Sequence, residues 1–355
     1  MTSTRVTLRT IADKTGVTRM AVSLALRGKE GVSPETRERV VRTARELGHQ
    51  PDPEVAKLLS HIRRKPPTES CACLALLTSG ATPGAWKHYA TERKYVEGAT
   101  ARARQYGYRL EEFWIRQPGM SLERLGDILW SRGIEGVVIA PLQGDLPGGA
   151  PRTIALDFNR FAAVEISETV DFPYLDRSLH DQYTSMLKVL EKLGELGYRS
   201  VGLVLEEALD ARVNGKWTAA FLYHRHRTGV STAPPPLILP EADQRAFDRW
   251  FDKHRPDALV SVNRFGLRLA KGKGLRIPRD TAYASLDLDG EAAARIAPSG
   301  IDQNSRLVGA AAVDMLVTAI HAGSPGSSRH GPLRTEIQGS WILGETTPAK
   351  RKSRK

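Results

Sequence analysis

The 355-residue chain holds only two cysteines, Cys71 and Cys73. Their C-x-C spacing lacks the second pair a structural zinc site needs, so they read as buried or strand thiols and no metal is expected. No apolar run approaches the ~20 residues that cross a bilayer. The opening Met1-Thr2-Ser3-Thr4-Arg5 leads into an amphipathic segment without a signal-type stretch, and a cytoplasmic protein is expected. There is no glycine-rich phosphate loop, nucleophile elbow, H-E-x-x-H helix or set of paired Cys/His ligands, so no catalytic residue is assigned and no cofactor is expected. The scattered histidines, such as His224 and His226 in a basic run, read as a solvated helix face.

What is present is the composition of a folded protein, 41% hydrophobic and 26% charged, on a chain long enough for about two to three domains. The net charge of +12 becomes informative once it is located. Residues 1–65 carry 14 basic and 7 acidic side chains, and Lys350 to Lys355 carry five basic groups and no acid. The stretch between is balanced, with 33 of each sign. A basic head on a neutral body points to a polyanionic partner such as nucleic acid, whereas the tail also reads as a disordered, solubilising end.

Residues Thr7 to Arg27 have helix-turn-helix spacing. Leu8, Ile11 and Ala12 share one helical face, Gly16-Val17-Thr18 interrupts, and Val22, Ala25 and Leu26 share the next face. Gly16 can take the positive φ of such a turn, and Thr18 can cap the second helix. Val32-Ser33-Pro34-Glu35 signals a third helix: Ser33 is the cap, Pro34 the first helical residue, and Glu35 meets the positive helix end. It runs to Leu47 and stops at Gly48, and Val40, Val41, Ala44 and Leu47 can close a small three-helix core.

Thr7-Leu8-Arg9-Thr10-Ile11-Ala12, with Gly16-Val17-Thr18, Val22-Ser23, Val32-Ser33, Thr36-Arg37, Val40, Leu47-Gly48 and Pro51, resembles the headpiece of the lactose-repressor (LacI) family at nearly every defining position. The resemblance implies a sequence-specific transcription regulator, a repressor type, whose second helix enters the major groove of operator DNA. By position it assigns base contacts to Arg19, Met20 and Leu24, with Arg27 as a further polar reader, and phosphate contacts to Thr7, Thr18, Ser23 and Ser33. Leu24 stands where the family usually has an arginine, so it offers a thymine methyl contact instead of a guanine fork. Met20 and Leu24 also read as core residues of the bundle. After Pro51 the family has a hinge helix that wedges a leucine into the minor groove; here Asp52-Pro53 can start it, and Leu58 and Leu59 compete as the wedge. Arg63-Arg64-Lys65 and Pro66-Pro67 read as a linker.

From Ala72 on, short apolar strands alternate with amphipathic helices, as in Leu74-Ala75-Leu76-Leu77, the helix through Val96-Glu97-Gly98-Ala99, and Gly136-Val137-Val138-Ile139. The pattern repeats after Asp181. The expected fold is an all-α helix-turn-helix headpiece (1–50), a hinge and linker (51–70), an α/β core of two doubly wound parallel-sheet subdomains of periplasmic-binding-protein type (71–347), and a basic tail (348–355). Weaker likenesses to the family core lie at Leu196-Gly197-Tyr198-Arg199, Gly274-Leu275-Arg276-Ile277-Pro278 and Gly309-Ala310-Ala311-Ala312. They imply three chain crossings between subdomains, near residues 170, 297 and 326, and a homodimer. Ligands of such sheets bind beyond the carboxyl ends of the strands. By position the resemblance assigns a small effector, a sugar or sugar derivative, to Asp287, Arg212, Asp157 and Asn263, with Trp86 or Trp217 covering an apolar ring face. For each of these there is also a purely structural role: a turn cap for Asp287, a surface salt bridge for Arg212, core packing for the tryptophans. An enzyme, a sugar-binding protein of transport type and an architectural DNA-binding protein are the rival functions.

Overall fold

The computed structural model describes residues 7–26, 31–47, 72–142, 152–228, 234–291, 296–323 and 331–350. The chain divides into two units, Met1–Glu69 and Ser70–Lys355.

In the first unit the caps expected from sequence form. Helix α1 (Leu8–Thr15) begins with a capping box between Thr7 and Thr10 and ends at Gly16, whose φ is 70°. Such a left-handed residue costs glycine nothing sterically and lets the chain turn at once into α2 (Arg19–Leu26). The Ala21 amide donates to the Thr18 hydroxyl at 3.1 Å. Ser33 caps α3 (Pro34–Glu46), which has proline in its first turn. Ile11, Ala12, Val22, Ala25, Val40 and Ala44 form the sealed centre of the three helices. Six residues of this size are a small core, so each cap, at about 1 kcal/mol, is a sizeable share of the headpiece's stability.

The second unit carries two six-stranded sheets, each built by strand–helix alternation. The first lobe contains β1 (Ala72–Thr78), α4 (Ala90–Gln105), β2 (Tyr108–Trp114), α5 (Leu122–Ser131), β3 (Gly136–Ile139), β4 (Ala162–Ile166) and β5 (Asp176–His180). The second contains α6 (Gln182–Glu195), β6 (Val201–Glu206), α7 (Glu207–Arg212), α8 (Lys216–Thr228), β7 (Leu237–Leu239), α9 (Gln244–His254), β8 (Ala258–Ser261), α10 (Phe265–Gly272), β9 (Ala282–Ser285) and β10 (Ser299–Asp302). The chain then returns through α11 (Ser305–Ala322) and β11 (Arg334–Ile337) to the first lobe and ends with β12 (Ser340–Ile342) on the second.

The sheet orders are β11-β5-β4-β3-β1-β2 and β12-β10-β9-β8-β6-β7, parallel throughout except that β12 runs antiparallel to β10. Central strands such as β3, β4 and β8 are buried at every position, as expected of sheets covered on both faces. Helices α4 and α11 cover one face of the first sheet and α5 the other. In the second lobe α6 and α8 oppose α9 and α10. Gly98 and Gly309 let α4 and α11 touch backbone to backbone. A Cβ at Gly98 would lie 1.9 Å from the Arg306 carbonyl oxygen, and one at Gly309 would lie 1.9 Å from that of Tyr95.

Three crossings join the lobes, as expected, but each lies further along the chain: at His180–Asp181, at Gln303–Asn304 and at Gln338–Gly339. The expected first crossing near 170 falls instead in the loop that runs back to start β5, because β5 still pairs with β4 in the first sheet. His180 sits buried at that crossing with its Nε2 2.8 Å from the Ser185 hydroxyl, and burial pushes its pKa down to about 4, so it is neutral near pH 7.

Candidate functional site

Helix α2 places its first residues in solvent. Arg19 is exposed, and Met20 is 74% exposed, which removes Met20 from the headpiece core. A methionine held in water at the start of a helix contributes nothing to folding by burial, so its side chain is free for apolar contact with a partner. Leu24 is half-buried near Gly31, between the two roles expected for it. The hydroxyls differ in what they have left to give. Thr18 accepts the Ala21 amide, which leaves its hydroxyl proton to give, whereas Ser33 already donates to Thr36 at 2.9 Å. Thr7 is engaged with Thr10, and Ser23 is half-buried. Arg27, Leu58 and Leu59 lie outside the described residues.

In the second unit the carboxyl ends of both sheets face one another, and polar side chains bridge the gap. Asp287 follows β9 and is 6% exposed. It accepts the Thr91 hydroxyl from the first turn of α4 at 2.6 Å and the Asp289 amide at 2.9 Å. Burial pushes its pKa up to about 6, and neighbouring Asp289 adds to the rise. Asp289 itself pairs with Lys94 of α4 and accepts the Ser305 hydroxyl at the start of α11, 2.8 Å away. Arg212, at the end of α7, stands 3.8 Å from Glu92. Tyr95 is buried beside Asp287, Glu92 and Arg212, with its phenol pushed well above the usual range by burial first and by the carboxylates second. Asn263 follows β8 with φ 50° and approaches Gly290 so closely that a Cβ there would lie 2.4 Å from its Oδ1. Asp287, Arg212 and Asn263 therefore all sit at the facing strand ends, as the sequence suggested.

Three expected effector residues lie elsewhere. Asp157 precedes β4, which begins only at Ala162 opposite Gly136 of β3, so Asp157 lies off the entering end of the sheet. There it caps a short 3-10 turn through the Asn159 amide. Trp217 is 4% exposed in the second lobe's core and donates its indole N–H to Gln182 at 2.9 Å. One residue along a helix is a rotation of about 100°, so Lys216, not Trp217, faces the gap. Trp86 donates to Glu112 at 2.9 Å and lines a groove with Val96, Thr100 and Arg104, on a different face of α4 from Thr91 and Tyr95.

Sequence reasoning missed the charged pairs that span the lobes. Glu168, 3% exposed in the loop after β4, binds Lys216 of the second lobe at 2.6 Å and Arg334 at 3.2 Å. Its loop is fixed by Glu165, which accepts the amides of Thr169 and Val170 and pairs with Arg177 at 2.9 Å. Burial pushes the Glu165 carboxyl up to about 7 despite Arg177. An alternation that places Glu165 inside an apolar run, followed by Ser167-Glu168, is the signal that was available. Among the described residues no cluster suits a metal ion.

Residues 7–52 match the family described as bacterial regulatory proteins, lacI family, and residues 190–347 match the periplasmic binding protein-like domain. No curated protein matches the chain. Among solved structures, a complex of the transcriptional regulator CelR with cellobiose is 20% identical, with 96% of this chain and 100% of that chain covered and a TM-score of 0.59. The lac repressor dimer bound to operator and the anti-inducer ONPF is 19% identical, covering 98% and 100%, with a TM-score of 0.57. A LacI family transcriptional regulator, CCPA from Weissella paramesenteroides with bound glucose, is 11% identical, covering 79% and 100%, also with a TM-score of 0.57. At these identities the likeness establishes the fold.

Proposed function

Since the chain belongs to the LacI family of bacterial regulatory proteins, we propose that it is a cytoplasmic, homodimeric repressor whose operator affinity is set by a small polar effector bound between the core lobes. It is a DNA-binding transcription regulator, and in this reading it acts by binding DNA and ligand. Arg19 and Met20 read base edges, Leu24 adds a thymine contact, and Thr7, Thr18, Ser23 and Ser33 hold the backbone. Two headpieces are required because one alone offers too little contact surface, so the operator is a pseudo-palindrome with half-sites about one helical turn apart. The headpiece match disfavours the transport-type alternative.

The observation that carries the effector reading is Asp287. A carboxylate shut between two lobes, with a hydroxyl and two turn amides as its partners and its pKa still raised by burial, is costly unless a ligand uses it. Asn263 and Arg212 flank it, and hydroxyl groups of a sugar or sugar derivative suit all three. Related folds carry cellobiose and glucose. Such a ligand acts only through its different affinity for two lobe arrangements, and about 1–3 kcal/mol of coupling changes operator affinity roughly 5–150-fold. The test screens metabolites by thermal shift on wild type and Asp287→Ala, with operator binding read in parallel. A ligand should stabilise wild type alone and alter its operator affinity; equal stabilisation of both proteins removes the cleft assignment.

A further inference from the structure

The buried acids at the gap between the lobes differ in one respect. Asp289 pairs with Lys94, Glu92 stands 3.8 Å from Arg212, and Glu168 binds Lys216 and Arg334. Asp287 alone of them has no base opposite it among the described residues, and the charge that bears on it most, that of Asp289, has its own sign. Its partners, the Thr91 hydroxyl and the amides of Asp289 and Gly290, are neutral. Thr91 lies in the first turn of α4, whose positive end amounts to roughly half a charge, and Glu92 of the same turn shares it. At least about half of the Asp287 charge is therefore uncompensated in a place shut from water.

A second group at the same place is unspent. Tyr95 is four residues on from Thr91, so the two share one face of α4. It is 6% exposed, and its phenol stands near enough to Asp287, Glu92 and Arg212 to feel all three charges. Burial and those charges are what act on it, with no hydrogen bond to any described residue. A hydroxyl this deeply buried is costly to leave without a partner. Its oxygen can accept a proton from a cation while its own proton goes to a neighbouring hydroxyl.

We infer that the effector is an amino sugar, whose ammonium group pairs with Asp287 and is braced by the Tyr95 hydroxyl. The inference rests on the effector reading of Asp287 and narrows it to a cationic class. A neutral sugar can donate hydroxyls to the carboxylate but leaves its charge buried without a counterion. An ammonium supplies that counterion through a charge-assisted bond, roughly twice as strong as a neutral one. The cost of drying Asp287 falls on folding and not on binding, so the ligand meets an acid already stripped of water. Arg212 and Asn263 remain for the sugar's hydroxyls. A sugar acid or sugar phosphate is disfavoured by the same geometry, because it would bring a second negative charge beside Asp287 and Asp289.

The experiment uses the full chain, wild type and Asp287→Asn, at about pH 7, where the carboxyl is ionised and the amine keeps its proton. Titration calorimetry compares D-glucosamine and D-galactosamine with their neutral parents D-glucose and D-galactose, and with the N-acetyl forms, in which the charge is removed. At least one amine should bind wild type about tenfold or more tightly than both its parent and its N-acetyl form. That advantage should vanish in Asp287→Asn, whose thermal melting checks that it is folded. In wild type it should shrink as the pH falls below about 6 and Asp287 takes up its proton. Equal affinity for amine and parent overturns the inference and leaves the effector reading standing, and so does binding of the neutral sugars alone. An amine that prefers wild type and Asp287→Asn equally over its parent takes the charge recognition away from Asp287 and refutes both. Binding of none of the amines also overturns the inference, and the effector reading is then judged by the metabolite screen against Asp287→Ala.

Discussion

Replacing Asp287 by Asn should make the protein more stable near pH 8 and leave it unchanged near about pH 3. The side chain keeps its shape, its remaining oxygen still accepts the Asp289 amide, and the NH2 that replaces the second oxygen can donate to the Thr91 hydroxyl, which turns from donor to acceptor, so the main loss is the charge. A carboxyl held at about 6 in the folded chain against an ordinary 3.8 is disfavoured in its ionised form by about 3 kcal/mol. The folded pKa is raised, so the folded state binds the proton more tightly than the unfolded chain does. Below the unfolded value both states are protonated and the aspartate costs nothing. Between roughly pH 4 and 6 the penalty grows, and above the folded value it is present in full. The gap between Asp287→Asn and wild type should therefore open over that window and plateau at higher pH. Urea denaturation of both proteins at several pH values measures it, and the other titrating groups, Glu165 and His180 among them, are common to both. A gap that is constant with pH, or an asparagine variant less stable than wild type at pH 8, would refute the view that Asp287 is kept charged at a cost. The expected pattern is that of a binding residue, where stability is given up for a group a ligand can use.

Gly309→Ala should lower the melting temperature steeply, because its Cβ meets the Tyr95 carbonyl oxygen at 1.9 Å and backbone must move; an unchanged melt would mean that α4 and α11 do not meet as described. Leu24→Arg should change the operator selected from random DNA more than it changes overall affinity, through a new fork for guanine, and identical selected sequences would place Leu24 outside the interface. Trp217→Phe should leave effector affinity unchanged while costing a little stability through the lost bond to Gln182, and a large loss of affinity would return the ring to the cleft.

The headpiece was legible because its information is local. Thr7, Gly16, Thr18, Ser33 and Pro34 each act on backbone within a few residues, so spacing alone fixes the caps and the turn. The alternation of strands and helices in the core was legible for the same reason. The cleft was only half legible. Asp287 and Asn263 follow short apolar strands and were placed at the strand ends, but Asp157 also follows an apolar stretch, Ile154 to Leu156, that never joins the sheet. Strand identity there is decided by pairing with β3, an interaction that sequence alone does not display. Lys216 and Trp217 show the same limit: periodicity locates the helix, yet which of two adjacent residues faces the other lobe depends on how that helix is rolled against α6. The bridges from Glu168 to Lys216 and from Asp289 to Lys94 join residues far apart in the chain, and no local pattern announces them.

The meeting of Gly98 and Gly309 has a mechanical consequence. Where side chains interdigitate, two helices can roll by exchanging rotamers; where carbonyl oxygens occupy the place of a Cβ, there is nothing to exchange. Helices α4 and α11 thus turn as one crank. Asp289 grips both arms of it, through Lys94 on the first and Ser305 on the second, and Asp287 holds its end at Thr91. If a molecule took over Asp287 as proposed, it would release or tighten the crank as a whole, and the rotation would have to be absorbed by the three slender crossings at His180–Asp181, Gln303–Asn304 and Gln338–Gly339, which would make those few peptide units the bearings of the machine.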